Sequence, residues 1–163
     1  RVGEVRVVNT YVPQGAEVGS EKFAYKLAWL TDLRAEFEAR WSGDQLLLWM
    51  GDLNIAPDDR DVFDPDKYRG AVGFHPDEHR ALADLTALGF TDVFRKHVPD
   101  QGQFTFFDYR LPGSVKRNLG WRIDHIMATE PLAALSRRAW IDRTPRELPK
   151  PSDHTPVCAD FDL

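Results

Sequence analysis

A mixed α/β fold in one domain is what the sequence predicts. Short apolar runs of strand composition alternate with amphipathic stretches of helical period, and no segment repeats or falls into low complexity. With 163 residues, 42% of them hydrophobic, there is enough apolar material for one packed core, so residues 1–163 are expected to form a single domain. No stretch approaches the roughly 20 consecutive apolar residues of a membrane-spanning helix, and the first residues carry no positively flanked apolar segment. A soluble, cytoplasmic protein with no membrane partner is the expectation. Cys158 is the only cysteine, which excludes an internal disulfide, is compatible with a reducing compartment and reads as a small buried hydrophobe.

Each element has its own signal. Residues 5–12 are rich in β-branched and aromatic side chains and end at Pro13, which predicts a strand running into a loop. From 20 to 41 the apolar positions Phe23, Leu27, Leu30, Phe37 and Trp41 recur at helical spacing behind Ser20, a ready N-cap. Residues 45–50 form an almost continuous apolar run stopped by Gly51, the pattern of a fully buried strand. The polar segment 58–73 lacks a period and reads as loop or short helix. Residues 76–89 read as a helix, with proline and the acids Asp77 and Glu78 in the first turn and Gly89 as the stop. Buried strands are expected at 122–128 and 156–161, with a weaker candidate at 137–142.

The formal charge of −5 opposes a simple nucleic-acid binder, because phosphate contacts call for a basic footprint. The sign is local, however: acids crowd residues 58–66, while Arg110, Lys116, Arg117 and Arg122 gather in one loop-like region. Carboxylates that hold a divalent cation also make a protein acidic overall while recruiting positive charge.

Three constellations carry chemistry. Gly51-Asp52-Leu53-Asn54 follows the buried strand, where an acid and an amide two residues apart could reach one ligand or simply cap a turn. Arg122-Ile123-Asp124-His125 lies on an expected strand, whose alternation would put Arg122 and Asp124 on one face and Ile123 on the other. Ser152-Asp153-His154-Thr155-Pro156 precedes the last strand. His154 there is a ring that a distant acid could hold in one tautomer, and Asp124 is the candidate orienter. A fourth pattern, His75-Pro76-Asp77-Glu78-His79, formally fits an inverted zinc-protease motif, but Pro76 places His75 before the helix and no third ligand is evident.

Taken in order, Asn9-Thr10-Tyr11-Val12-Pro13, Gly51-Asp52-Leu53-Asn54-Ile55-Ala56-Pro57, Phe104-Thr105-Phe106-Phe107-Asp108-Tyr109-Arg110, Gly120-Trp121-Arg122-Ile123-Asp124 and Ser152-Asp153-His154 resemble the later motifs of the exonuclease III family of abasic-site endonucleases. The match spans essentially the whole chain. The wider superfamily includes DNase I-like nucleases, inositol polyphosphate phosphatases and sphingomyelinases. The resemblance implies a four-layer α/β sandwich of the DNase I-like type, two sheets face to face with helices outside. It also implies a DNA repair nuclease that incises 5′ to abasic sites, with 3′–5′ exonuclease or 3′-phosphatase activity beside it.

The resemblance gives the residues roles. Asp52 would handle a proton, Asn54 would donate to a phosphate oxygen or orient the attacking water, and Tyr11 would stand beside the phosphate or leaving oxygen. His154, held by Asp124, would sit against the phosphate or act as the base. Asp153 would hold Mg2+ or Mn2+, hard cations that prefer oxygen ligands, with Asp52, Asn54 and His154 available to a second ion. Double-stranded DNA with abasic sites or 3′ ends would be the partner. Arg110, Lys116, Arg117, Asn118 and Arg122 would meet phosphates, and Phe106, Trp121 and Ile123 would form the apolar pocket for a flipped abasic sugar. Leu119 stands where bacterial members often carry arginine, and Phe106 where they carry tryptophan.

Family members begin with strands that precede Arg1 here and supply an asparagine and a metal-binding glutamate. The chain is therefore expected to be one piece of a longer, monomeric protein, inactive alone and with a large apolar surface uncovered. A phosphoesterase of lipid or inositol phosphates and a noncatalytic DNA-binding fragment are the alternative functions.

Overall fold

The computed structural model describes residues 1–42 and 44–163. Its centre is strand β2, Leu47–Asp52, paired in parallel with β1, Arg6–Asn9, on one side. On the other side β2 pairs antiparallel with β4, Asp124–Thr129, which in turn pairs with β3, Phe90–Asp92, giving the order β1-β2-β4-β3. Parallel neighbours need a crossover, and helix α1, Glu21–Arg40, supplies it. Ser20 caps α1 by accepting from the Phe23 amide, as its sequence position suggests.

Period-two alternation then sorts the sheet residues to two faces. Val8, Trp49 and Met127 point to the layer made by α1 and α3, Pro76–Thr86, where Leu30, Phe37, Leu82 and Leu85 complete the larger core. Val7, Leu48, Met50, Ile126 and Ala128 point the other way. There they meet α4, Val93–His97, α5, Glu130–Ala134, and a second sheet of β5, Ser136–Ile141, and β6, Val157–Phe161. Helices, a four-stranded sheet and a two-stranded sheet thus stack as three layers. The second face is the less closed: Val7, Leu48, Met50 and every residue of β6 are only half-buried. A groove of about 400 Å³ opens there between Met50, Ile126, Pro145, Pro156 and Val157.

The structure corrects several boundaries. The first strand is four residues long, but Thr10 and Val12 extend it by donating to the Met50 and Asp52 carbonyls. The second strand runs on through Gly51 and Asp52, because Gly51 alone tolerates a φ of 132° against the chain beside it. A side-chain carbon there would stand 2.0 Å from the Thr10 carbonyl oxygen. The segment 58–73 holds a 3-10 turn, Asp59–Asp61, and α2, Pro65–Tyr68, each capped by an aspartate. Strand β4 begins at Asp124, not at Arg122. The three short elements β3, α4 and α5 have no counterpart in the sequence reading, since three to five residues cannot display a period. Cys158 is half-buried rather than buried.

The zinc-like pattern is used up structurally. His75 caps α3 through its ring, Glu78 is buried against Lys26, and His79 Nε2 lies 2.9 Å from the Ala56 carbonyl.

Candidate active site

The ends of β2 and β4 create the site. Antiparallel register sets Asp52 directly opposite Asp124, so two carboxylates emerge side by side where the strands stop. Asn54 follows in the left-handed region, φ 50°, a conformation asparagine tolerates better than most residues. Its backbone amide donates to Asp52 Oδ1 at 2.9 Å, and its side-chain nitrogen donates to the Val12 carbonyl at 2.9 Å and to Asp52 Oδ2 at 3.2 Å. His154 Nδ1 donates to Asp124 Oδ2 at 2.9 Å, which leaves Nε2 outward. The orienter anticipated for His154 is therefore in place.

The segment 104–107 fastens these pieces together. Thr105, fully buried, accepts from the Ile123 and Asp124 amides with its hydroxyl and from the Thr155 amide with its carbonyl. Phe106 bridges both Trp121 and His154, and Phe107 donates to the Asp153 carbonyl at 2.8 Å. His154 is thereby locked to β4 although thirty residues separate it from Asp124.

Charge is left unbalanced here. Burial, and then the Asp124 carboxylate, push the Asp52 pKa up to about 6, against the Asn54 amide, His154 and Lys26, which favour ionisation. The bond to Asp124 raises the pKa of His154, and the charges of Asp124, Asp52 and Asp153 add to it against the cost of burial. One ligand atom each from Asp52, Asp124 and His154 lies within 4.8 Å of the others, a set that could hold a metal ion. Asp153 lies outside that set: it is half-buried beside His154 and is tied to Phe107 through its carbonyl.

Beside this cluster runs a cleft of about 910 Å³. Asp52, Asn54 and His154 share its lining with Tyr11, Phe106, Arg110, Leu119, Trp121 and Ile123. Tyr11 is 66% exposed, so it is a cleft residue and not a half-buried sheet aromatic. Trp121 stands edge-on to Tyr68 with ring centroids 5.1 Å apart, and Phe106 lies 5.1 Å from the His154 ring. Asp108 holds the Arg110 guanidinium in a two-oxygen grip.

Two of the expected phosphate contacts are corrected. Arg122 is fully buried: Nε and Nη2 bind Asp61 at 2.6 and 3.1 Å, and Nη1 reaches Asp92 at 2.8 Å and His125 at 2.9 Å. The chain turns inward before β4 starts, with the Arg122 amide on the Asp61 carbonyl, so alternation with Asp124 does not extend back to it. Asn118 has both ends of its amide occupied, by the Gly102 carbonyl and by Arg143. Lys116 and Arg117 are exposed but lie outside the cleft lining.

Sequence reasoning missed Thr105, Arg143, Asp61 and Lys26. Only Lys26 left a signal: it falls on the buried stripe of α1 with Phe23, Leu30 and Phe37, where a charge calls for a partner.

The profile of the Endonuclease/Exonuclease/phosphatase family matches residues 1–154. Exodeoxyribonuclease III of Haemophilus influenzae is 36% identical over 98% of this chain and 62% of its own length. A solved AP endonuclease from Archaeoglobus fulgidus superposes with a TM-score of 0.95 at 45% identity, over 98% of this chain and 62% of that one. A 3′ phosphatase from Neisseria, bound to a product DNA hairpin, gives 0.92 at 36% identity, over 99% of this chain and 62% of that one. The chain thus spans about six tenths of the length of these relatives. Alike in profile, sequence and superposed fold, the chain belongs to the Endonuclease/Exonuclease/phosphatase family.

Proposed function

We propose that the protein to which this chain belongs is a metal-dependent DNA repair nuclease that hydrolyses the phosphodiester 5′ to an abasic site, with 3′–5′ exonuclease or 3′-phosphatase activity from the same centre. The observation that carries this reading is the meeting of Asp52, Asn54, Asp124 and His154 at the edge of a cleft walled by Phe106, Trp121 and Ile123. An apolar pocket next to phosphate chemistry suits a sugar that has lost its base, turned out of the duplex. It suits a highly charged inositol phosphate poorly.

Hydrolysis needs an activated water, compensation for charge on the phosphoryl oxygens and help for the leaving alkoxide. Asp52, with a pKa of about 6, is mostly ionised at neutral pH yet still basic enough to take a proton from water. The bond to Asp124 favours the protonated form of His154, which offers Nε2–H to a phosphoryl oxygen. Asn54 trades a bond within its turn for one to the phosphate, and Tyr11 stands at the mouth for the leaving oxygen. Of the three groups that could hold an ion, the Asp52 and Asp124 carboxylates are hard oxygen donors that fit Mg2+ or Mn2+. Such an ion supplies charge compensation at the phosphoryl oxygens. Arg110 at the cleft contacts the DNA strand, with Lys116 and Arg117 beyond it; monomeric action on double-stranded DNA is the expected mode, and the cytoplasm is the expected compartment.

The test offers an abasic duplex, a duplex with a recessed 3′ end and a soluble inositol phosphate, each with magnesium and with chelator. Magnesium-dependent incision of the abasic duplex supports the reading. Turnover of inositol phosphate alone would replace it, and salt-sensitive DNA binding without cleavage would leave a binding module.

A further inference from the structure

Lys26 is a cation with no exposed surface, on the buried face of α1. Its ammonium pairs with Glu78, itself fully buried, and donates to the Asn54 carbonyl at 2.8 Å and to the Gln14 carbonyl at 3.4 Å. Glu78 Oε2 accepts the Gly73 amide at 2.7 Å and the His75 amide at 3.1 Å. Gly73 in turn accepts the Ala56 amide at 2.7 Å and backs the Trp121 ring. One ion pair thus ties together the loop after β1, the turn after β2 and the start of α3. Gln14, Asn54 and Gly73, the residues it grips, all line the cleft. The fit is close: a side-chain carbon on Gly15 would lie 3.2 Å from Lys26 Cδ.

A buried pair of this kind is a poor source of stability, because desolvating two charges consumes most of their attraction and apolar replacements are often neutral or stabilising. Stability therefore does not account for placing one behind a catalytic turn. We infer that Lys26 and Glu78 are positioning residues, which clamp Asn54 in its left-handed conformation and fix the Gly73 wall against Trp121, so that amide, carboxylate and pocket keep one geometry. Neither residue touches substrate. Asn54 is one bond from Lys26, and the inference rests on the nuclease reading for its effect on turnover but not for its effect on the turn.

Lys26→Met alone strands a buried carboxylate and could unfold the protein. Lys26→Met combined with Glu78→Gln removes both charges and keeps an acceptor for the Gly73 amide. In this double variant, amide exchange at Asn54 and Ala56 should accelerate by about tenfold or more, while Trp49 and Met127 in the central sheet keep their protection. In the abasic incision assay, kcat should fall by about 10- to 100-fold with KM within about threefold of the parent. Unchanged exchange at Asn54 and Ala56, a uniform rise across the sheet, or an unchanged kcat would overturn the inference. A parent that leaves abasic DNA uncut would refute the nuclease reading instead, and the exchange measurement would still judge the clamp.

Discussion

Two clusters of aspartate and histidine lie back to back at the start of β4, built from neighbouring residues and put to opposite use. Behind the strand, Asp61 and Asp92 enclose Arg122, with Arg95 on Asp61 and His125 closing the set. In front, Asp52 faces Asp124 and His154, and Lys26, whose charge favours ionisation of Asp52, is already paired with Glu78. Burial works against ionisation of Asp92, yet the Arg122 charge and the hydrogen bonds from Arg122 and the Arg95 amide together more than offset it and hold the pKa below the usual carboxylate range. Burial and Arg122 together press His125 down to about 4, so it stays neutral and donates Nε2–H to the Ile55 carbonyl at 2.8 Å. The lesson is that residue type does not separate scaffold from site here. What separates them is whether the fold supplies enough positive charge.

The contrast fails if both clusters respond alike to mutation. The largest effect should come from the front: His154→Ala or Asp52→Ala in a complete enzyme should cut abasic incision by about 10³-fold or more while the fold survives, as read by turnover and thermal melting. Near-normal rates would remove either residue from the chemistry. Next comes the back: Arg122→Met leaves Asp61 and Asp92 buried against too little charge and should cost about 3–5 kcal/mol in urea unfolding, with activity per folded molecule kept.

A smaller effect sharpens the comparison through pH. The Asp52 carboxyl is raised from 3.8 to about 6 on folding, so the native state binds more protons between those values. Its contribution to stability is fully present below about pH 4 and is lost as pH rises through about 6. Asp52→Asn should therefore melt higher than the parent at pH 8, by roughly 1–3 kcal/mol, with the gain gone below pH 4. The mildest test is NMR titration. His154 should hold its proton above the ordinary histidine range and lose that excess in Asp124→Asn, whereas His125 should stay neutral until about pH 4.

Much of this was legible in the sequence, for identifiable reasons. Ser20 and the stripe from Phe23 to Phe37 give α1 almost to the residue, because cap and period agree. Asp52, Asn54, Asp124 and His154 could be named because strand ends expose polar groups rigidly, and the family motifs fixed their order. Asp124 as the partner of His154 needed only the expectation that an acid on a buried strand has company. Arg122 was misread because local charge density carries no information about burial. It looks like a phosphate ligand until Asp61 and Asp92, thirty or more residues away, are brought to it. Thr105 and Arg143 are ordinary residues whose tasks exist only in the tertiary structure: one staples Ile123 and Asp124, and the other holds the loop at Asn118.

Phe106 forms single backbone bridges to Trp121 on one side and to His154 on the other. In the proposed enzyme, the wall that would receive the sugar and the imidazole that would meet the phosphate are therefore mechanically one part. A bulky base left on the sugar would have to prise that wall outward, dragging the ring from its station, so discrimination against intact nucleotides would register in the speed of cutting more than in the grip on DNA.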